Sequence, residues 1–190
     1  MTRGLSVALA FLALAFLALS TADVPAEPAA PAEPDSYRTD DYRAPTPETL
    51  RGARVATTAV AAALWRQGAA FVDVLPRAPR PANLPAGTLW RDRPHRNIPG
   101  SLWLPDTGYG ALAPVTERYF DAGLRQATGS DRGKPLVIYC QRACWMSWNA
   151  ARRAVAMGYT DVVWYPDGTD GWEEAGLPFA EATPVARSED

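Results

Sequence analysis

Between Pro135 and Ala154 the chain passes from a continuous apolar run into a helical pattern across its only two cysteines, and that corner constrains the fold more than any other stretch. Leu136 to Tyr139 has the length of a strand and is rich in β-branched and aromatic residues, as a central strand covered on both faces requires. Trp148, Ala151 and Val155 then recur at helical spacing, with Arg152 and Arg153 on the opposite side. Cys140 therefore ends a strand, in a loop that leads to a helix following Ser147. A curled loop there would aim its amides inward and the helix would add its positive end, so the pattern predicts a stabilised sulfur anion at Cys140.

The flanking segments extend the same alternation. Ala53 to Thr57 reads as a short strand, with Thr58 capping a helix from Ala59 to Gln67 that Gly68 stops. Ala69 to Leu75, Ser101 to Leu104, Leu136 to Tyr139 and Asp161 to Tyr165 are the next four strands. Thr116 to Thr128 forms a helix with Tyr119, Phe120 and Leu124 on its apolar side and Thr116 as cap, and a last helical turn lies around Gly171 to Gly176. Pro76 to Pro99, with its six prolines, reads as a long loop over the strand ends. Strands and helices in this order predict an α/β fold, a parallel five-stranded sheet with helices on both faces. Ligands in such sheets sit outside the carboxyl ends of the strands, where Asp73 and Cys140 both fall.

The amino terminus has a different character. Met1 to Ala22 carries one early charge, Arg3, then an apolar stretch from Leu5 to Leu19 and small residues, which reads as a signal peptide. Residues 23–47 are rich in Pro, Ala and Glu and read as a mobile linker, although Tyr37, Tyr42 and Arg43 allow its last third to drape over the domain. Residues 48–180 then form one domain, and 181–190 a disordered tail.

Charge excludes some partners. Lys and Arg number 19 against 21 Asp and Glu, and loss of the leader removes only Arg3, moving the net charge from −2 to −3. No run of like charge points to nucleic acid or to an anionic membrane surface. Arg77, Arg80, Arg91, Arg93 and Arg96 share one Pro-rich segment, either a solvated loop or an anion-attracting rim. One histidine and two cysteines fall short of a closed metal site, and no cofactor is expected.

Cys140 and Cys144 reach disulfide range if the loop curls by one turn. Three readings stay open: a structural bridge, a persulfide on Cys140 resolved by Cys144, or a dithiol exchanging with a partner. So small a ring constrains little unfolded-chain entropy, which weighs against the first. Arg142 either neutralises a thiolate or an anionic sulfur donor or points to solvent, Trp145 and Trp148 pack in preference to stacking on a ligand, and Asp73 holds loop amides or an arginine or is merely structural.

Four segments resemble the rhodanese family. Phe71-Val-Asp-Val74 is similar to its strand ending in aspartate, Asn97-Ile-Pro-Gly-Ser101 to its His-Ile-Pro-Gly-Ala turn, and Leu136-Val-Ile-Tyr-Cys140 to its active-site strand. Gly168-Thr-Asp-Gly171-Trp172 with Gly176-Leu-Pro178 is similar to its closing segment. The resemblance implies that Cys140 carries a persulfide, cradled by Gln141, Arg142, Ala143, Cys144, Trp145 and Met146; Ser147, the last residue before the expected helix, is grouped with this loop. Asn97 stands at the family's histidine position and Leu75 where an arginine often follows, so His95, in a polar loop, reads as a surface residue.

The stretch Cys140-Gln-Arg-Ala-Cys144-Trp145 further resembles periplasmic proteins defined by a Cys-x-x-x-Cys-Trp motif and associated with pyrroloquinoline-quinone-dependent alcohol catabolism. That likeness implies a periplasmic context and a redox or cofactor-related role without naming a reaction, while the leader predicts export with no membrane attachment once cleaved and the cysteine pair predicts sulfur transfer or thiol redox chemistry. The partners would be a small sulfur donor or acceptor thiol, and a periplasmic quinoprotein or cytochrome. The competing expectation is a catalytically idle module that presents its Arg-rich loop and Trp-bearing surface to a partner.

Overall fold

The computed structural model describes residues 30–89 and 94–187. The expected leader, the start of the linker, Arg91, Arg93 and the last three residues lie outside the described residues. The elements run β1 (Arg54–Val55), α1 (Thr58–Arg66), β2 (Ala70–Asp73), β3 (His95–Asn97), β4 (Leu102–Trp103), α2 (Pro114–Thr128), β5 (Leu136–Tyr139), α3 (Trp145–Ala156), β6 (Val162–Tyr165), α4 (Gly168–Glu174) and β7 (Ala180–Ala182).

Five strands form one parallel sheet in the order β1-β6-β5-β2-β4. The side-chain alternation of a strand divides its residues between two layers. Leu136 and Ile138 join Val72, Val162 and Trp164 against α2 and α3, whereas Val137 and Tyr139 join Phe71, Val163 and Tyr165 against α1 and the Trp172 of α4. From β2 the chain moves outward to β4, and from β5 it moves the other way to β6. The carboxyl ends of β2 and β5 therefore flank a topological switch point, where the Asp73–Tyr139 pairing ends the shared ladder.

The helix starts differ from expectation for local reasons. Thr57, not Thr58, caps α1, its hydroxyl accepting the Val60 N–H at 3.4 Å, which frees Thr58 to bond the Tyr165 hydroxyl at 2.9 Å. Helix α2 begins at Pro114, which has no N–H to leave unsatisfied, so Thr116 lies inside the first turn. Helix α3 begins at Trp145, three residues before the start expected after Ser147. There the Ser147 hydroxyl donates to the Cys144 carbonyl at 3.0 Å and accepts the Trp164 indole N–H at 3.0 Å.

Segments expected to be irregular are also tied down. His95–Asn97 pairs antiparallel with Ala180–Ala182, and the Val185 N–H donates to Trp103 O at 3.0 Å, so the tail is ordered beyond residue 181. The linker lies along α3 from Pro34 to Thr49 rather than only in its last third. Arg152 donates to Pro34 O at 2.8 Å and the Trp148 indole to Thr49 O at 3.1 Å. Arg153, expected on the solvent side, is 5% exposed and donates to Thr107 O, Tyr109 O and Gly110 O. No helix among the described residues is long and apolar enough to cross a membrane.

Gly168 lets α4 start against the sulfur loop. Its φ is +51°, and a Cβ there would overlap the Cys140 carbonyl, which accepts the Thr169 N–H at 3.0 Å. Gly168→Ala is expected to cost on the order of 2 kcal/mol, read as a lower urea midpoint at an unchanged m value.

Candidate functional site

Strand β5 delivers Cys140 to the switch point, and alternation turns its side chain to the α3 side of the sheet. Cys140 is 0% and Cys144 2% exposed, within the apolar layer that includes Val74, Trp145 and Trp148. The two sulfurs are bonded to each other, with Cα atoms 6.3 Å apart. In this bonded state three of the amides expected to form the anion cradle have other acceptors. The Arg142 N–H donates to the Asp170 carboxylate at 2.9 Å, the Trp145 N–H to Tyr42 O at 3.0 Å, and the Ser147 N–H to Cys144 O at 3.3 Å.

Arg142 does not face the sulfurs. Its guanidinium makes a two-pronged contact with the Glu174 carboxylate, both distances 2.6 Å, and reaches Asp167 at 3.5 Å, all on α4 and its approach. The Glu174 hydrogen bonds raise the arginine pKa and lower that of Glu174. This pair is mostly exposed, so it orients the loop more than it stabilises the fold.

The other loop residues divide by face. Gln141 bridges Gly168 and borders a hollow of about 240 Å³ with Arg96, Thr169, Asp170, Glu173 and Phe179. Ala143 adopts φ +51°, a left-handed conformation that lets the loop return so that Cys144 can meet Cys140. Met146 is buried where Gly108 approaches too closely to admit a side chain. Trp145 packs edge-on to Trp148 at 5.4 Å and donates its indole N–H to Pro45 O at 3.1 Å.

Asp73 is fully buried and, among the described residues, holds neither a loop amide of the cysteine turn nor an arginine. One carboxylate oxygen accepts the Leu75 N–H at 2.9 Å, and the other lies 2.6 Å from His95 Nε2. The His95 ring stacks on Trp103 at 4.2 Å. This corrects the surface expectation for His95: on β3 the residues alternate, so His95 and Asn97 turn inward while Arg96 faces out over Phe179. The signal was available in the His-Arg-Asn triplet before Ile98-Pro-Gly, but the prolines around it obscured a three-residue strand. Burial raises the Asp73 pKa, and the His95 contact opposes that shift. Asp73 and His95 lie on the α1 side of the sheet, with Tyr139, away from Cys140.

The Asn97-Ile-Pro-Gly-Ser101 turn is a clamp for Tyr139. The Ile98 N–H donates to the tyrosine hydroxyl at 3.1 Å, and that hydroxyl donates to Ser101 Oγ at 2.8 Å, while burial pushes its pKa well up. Among the described residues no cluster of His, Cys, Asp or Glu is arranged to hold a metal ion.

Residues 57–175 match the family described as Rhodanese-like domain, and the chain belongs to that family. No relative was found among curated proteins. Among solved structures, the chain is similar to the solution structure of the 30 kDa polysulfide-sulfur transferase homodimer from Wolinella succinogenes. That similarity covers 73% of this chain and 84% of that one, at 17% identity and a TM-score of 0.43.

Two outcomes follow from this geometry. Because the folded carboxyl of Asp73 has a raised pKa, the folded state holds that proton more tightly than the unfolded state. The associated stability is full below the unfolded value of about 3.9 and is lost as pH rises through the folded one. Asp73→Asn should therefore gain stability relative to wild type as denaturation is measured from about pH 4 to pH 8. Ala143→Gly should leave stability unchanged or raise it by up to about 1 kcal/mol, whereas Ala143→Val should lower it by more than about 1 kcal/mol, in the same denaturation assay.

Proposed function

We propose that this rhodanese-like protein is exported to the periplasm and uses Cys140 and Cys144 as a reversible dithiol–disulfide pair, with sulfur transfer through Cys140 in the reduced form. The observation that carries the reading is the Cys140–Cys144 bond at the carboxyl end of the central strand, where a sulfur anion was expected. A five-residue loop closed by such a bond contributes little to holding distant parts of the chain together, which favours chemistry over stapling.

In the redox step, a partner thiolate attacks one sulfur of the pair and the other leaves as thiolate. A second partner thiol then displaces the mixed disulfide, so two electrons and two protons pass to the pair. In the sulfur-transfer step, Cys140 thiolate attacks a sulfane sulfur and the donor leaves with the bonding electrons. Cys144 thiolate then attacks Cys140 Sγ, re-forming the disulfide and expelling hydrosulfide. Family membership supports the second step, and the apolar stretch from Leu5 to Leu19 supports export. The Cys140-to-Trp145 motif supports a connection to pyrroloquinoline-quinone-dependent alcohol catabolism, with a periplasmic quinoprotein or cytochrome as the redox partner.

A second reading, an idle binding module, draws on the burial of both sulfurs and the engagement of Arg142 by Glu174. The discriminating measurement is a redox titration followed by thiol alkylation and mass spectrometry. A midpoint between roughly −270 and −120 mV is expected for an exchanging pair, and a pair still oxidised below about −300 mV would be structural. The reduced protein should also gain about 32 Da on Cys140 from a sulfane donor, a gain that Cys140→Ser must abolish.

A further inference from the structure

We propose that residues 37–49 form a strap that gates the cysteine pair, closed over the sulfurs while they are bonded to each other and displaced when a partner thiolate enters. The inference rests on the redox reading above and adds how access to that site is controlled. An attacking sulfur must approach along the axis of the bond it breaks, and neither Cys140 nor Cys144 offers such a path, with exposures of 0% and 2%. Tyr42 and Ala44 of the strap pack against the apolar layer that contains both sulfurs. Something must move before exchange can begin, and the strap, whose Tyr42 O accepts the Trp145 N–H beside Cys144, is a covering segment that forms no strand of the sheet.

Besides those apolar contacts, its attachment is a set of hydrogen bonds made mostly to α3. Tyr42 O accepts the Trp145 N–H, Pro45 O the Trp145 indole at 3.1 Å, and Thr49 O the Trp148 indole at 3.1 Å. Asn149, itself fully buried, pairs both ways with Arg38, accepting its N–H at 3.0 Å and donating to its carbonyl at 2.8 Å. The Tyr42 hydroxyl accepts the Gly110 N–H at 3.1 Å, and the Arg38 guanidinium lies 5.4 Å over the Trp145 ring. Contacts of this kind exchange for water at small net cost, so the strap can open locally without unfolding the sheet.

Opening also changes the chemistry underneath. The Trp145 N–H is a first-turn donor of α3, and the closed strap gives it to Tyr42 O. Released, that donor can serve the thiolate formed when a partner dithiol attacks Cys144 and the bonding electrons leave with Cys140. The coupling is reciprocal: reduction loosens the strap, and a loosened strap eases reduction.

The test uses the full chain. Reduction of the pair by dithiothreitol is timed in wild type, Asn149→Ala and Tyr42→Ala, and hydrogen exchange of residues 37–49 is compared between oxidised and reduced wild type. Reduction should accelerate about tenfold in the variants, and strap amides should exchange about tenfold faster after reduction. If a variant fails to fold, the wild-type exchange comparison carries the decision. Reduction rates within about twofold of wild type together with unchanged strap exchange would overturn the gate, while a titration in the exchange range would leave the redox reading standing. A midpoint in the structural range, below that of exchanging pairs, with reduction by excess dithiothreitol still about tenfold faster in the variants, would remove the redox reading and keep the gate.

Discussion

At the corner where β5 gives way to α3, the first helical N–H has no acceptor within its own helix, and Tyr42 O supplies one at 3.0 Å. The same corner must turn the chain back on itself within five residues, which Ala143 does in a left-handed conformation and the Cys140–Cys144 bond closes. A buried turn of this kind has to satisfy every polar group it carries. Several of those groups are satisfied by material from both faces of the sheet: the Asp170 carboxylate and the Thr169 N–H from the α4 side, and the carbonyls of the amino-terminal strap from the α3 side. The cysteine pair therefore sits beside amides that are engaged elsewhere, in contrast to an open bowl of amides.

That network explains the composition of α3. Trp145, Trp148, Asn149, Arg152 and Arg153 all present N–H donors, and each finds a carbonyl, mostly in the strap or in the Thr107–Gly110 loop. The helix is buried on more than its sheet-facing side because a second polypeptide layer lies over it. Across the sheet a separate polar cluster, Asp73 with His95 and Tyr139 with Ile98 and Ser101, secures the other half of the switch point. The two clusters share the ends of neighbouring strands but face opposite layers, so Asp73 supports the architecture of the rim and does not touch the sulfurs.

The architecture was legible because its signals are local. Leu136 to Tyr139 is apolar at every position, as burial on both faces demands, and the five strands and their parallel order follow from short apolar runs separated by helical periods. The site was legible in its residues and less so in their directions. Cys140 sits at the expected strand end, yet Arg142 turns to Glu174 because the loop crosses to the α4 side immediately after the cysteine. His95 was misread because strand β3 is three residues long and its partner, Ala180–Ala182, is distant in the chain. Arg153 was placed on a solvent face because helical periodicity distinguishes polar from apolar sides and cannot show that a Pro-rich segment covers the polar one.

From residue order alone came the parallel α/β sheet, the placement of Cys140 and Asp73 at strand ends, and the nearness of Cys144 to Cys140, since each depends on periods and spacings within a few residues. The tertiary structure decided which amides reach which acceptors, which layer each side chain enters, and that residues 34–49 cover α3. Those outcomes depend on segments about a hundred residues apart meeting in space, as the Arg38–Asn149 pair does across 111 positions, and no local pattern encodes such a meeting.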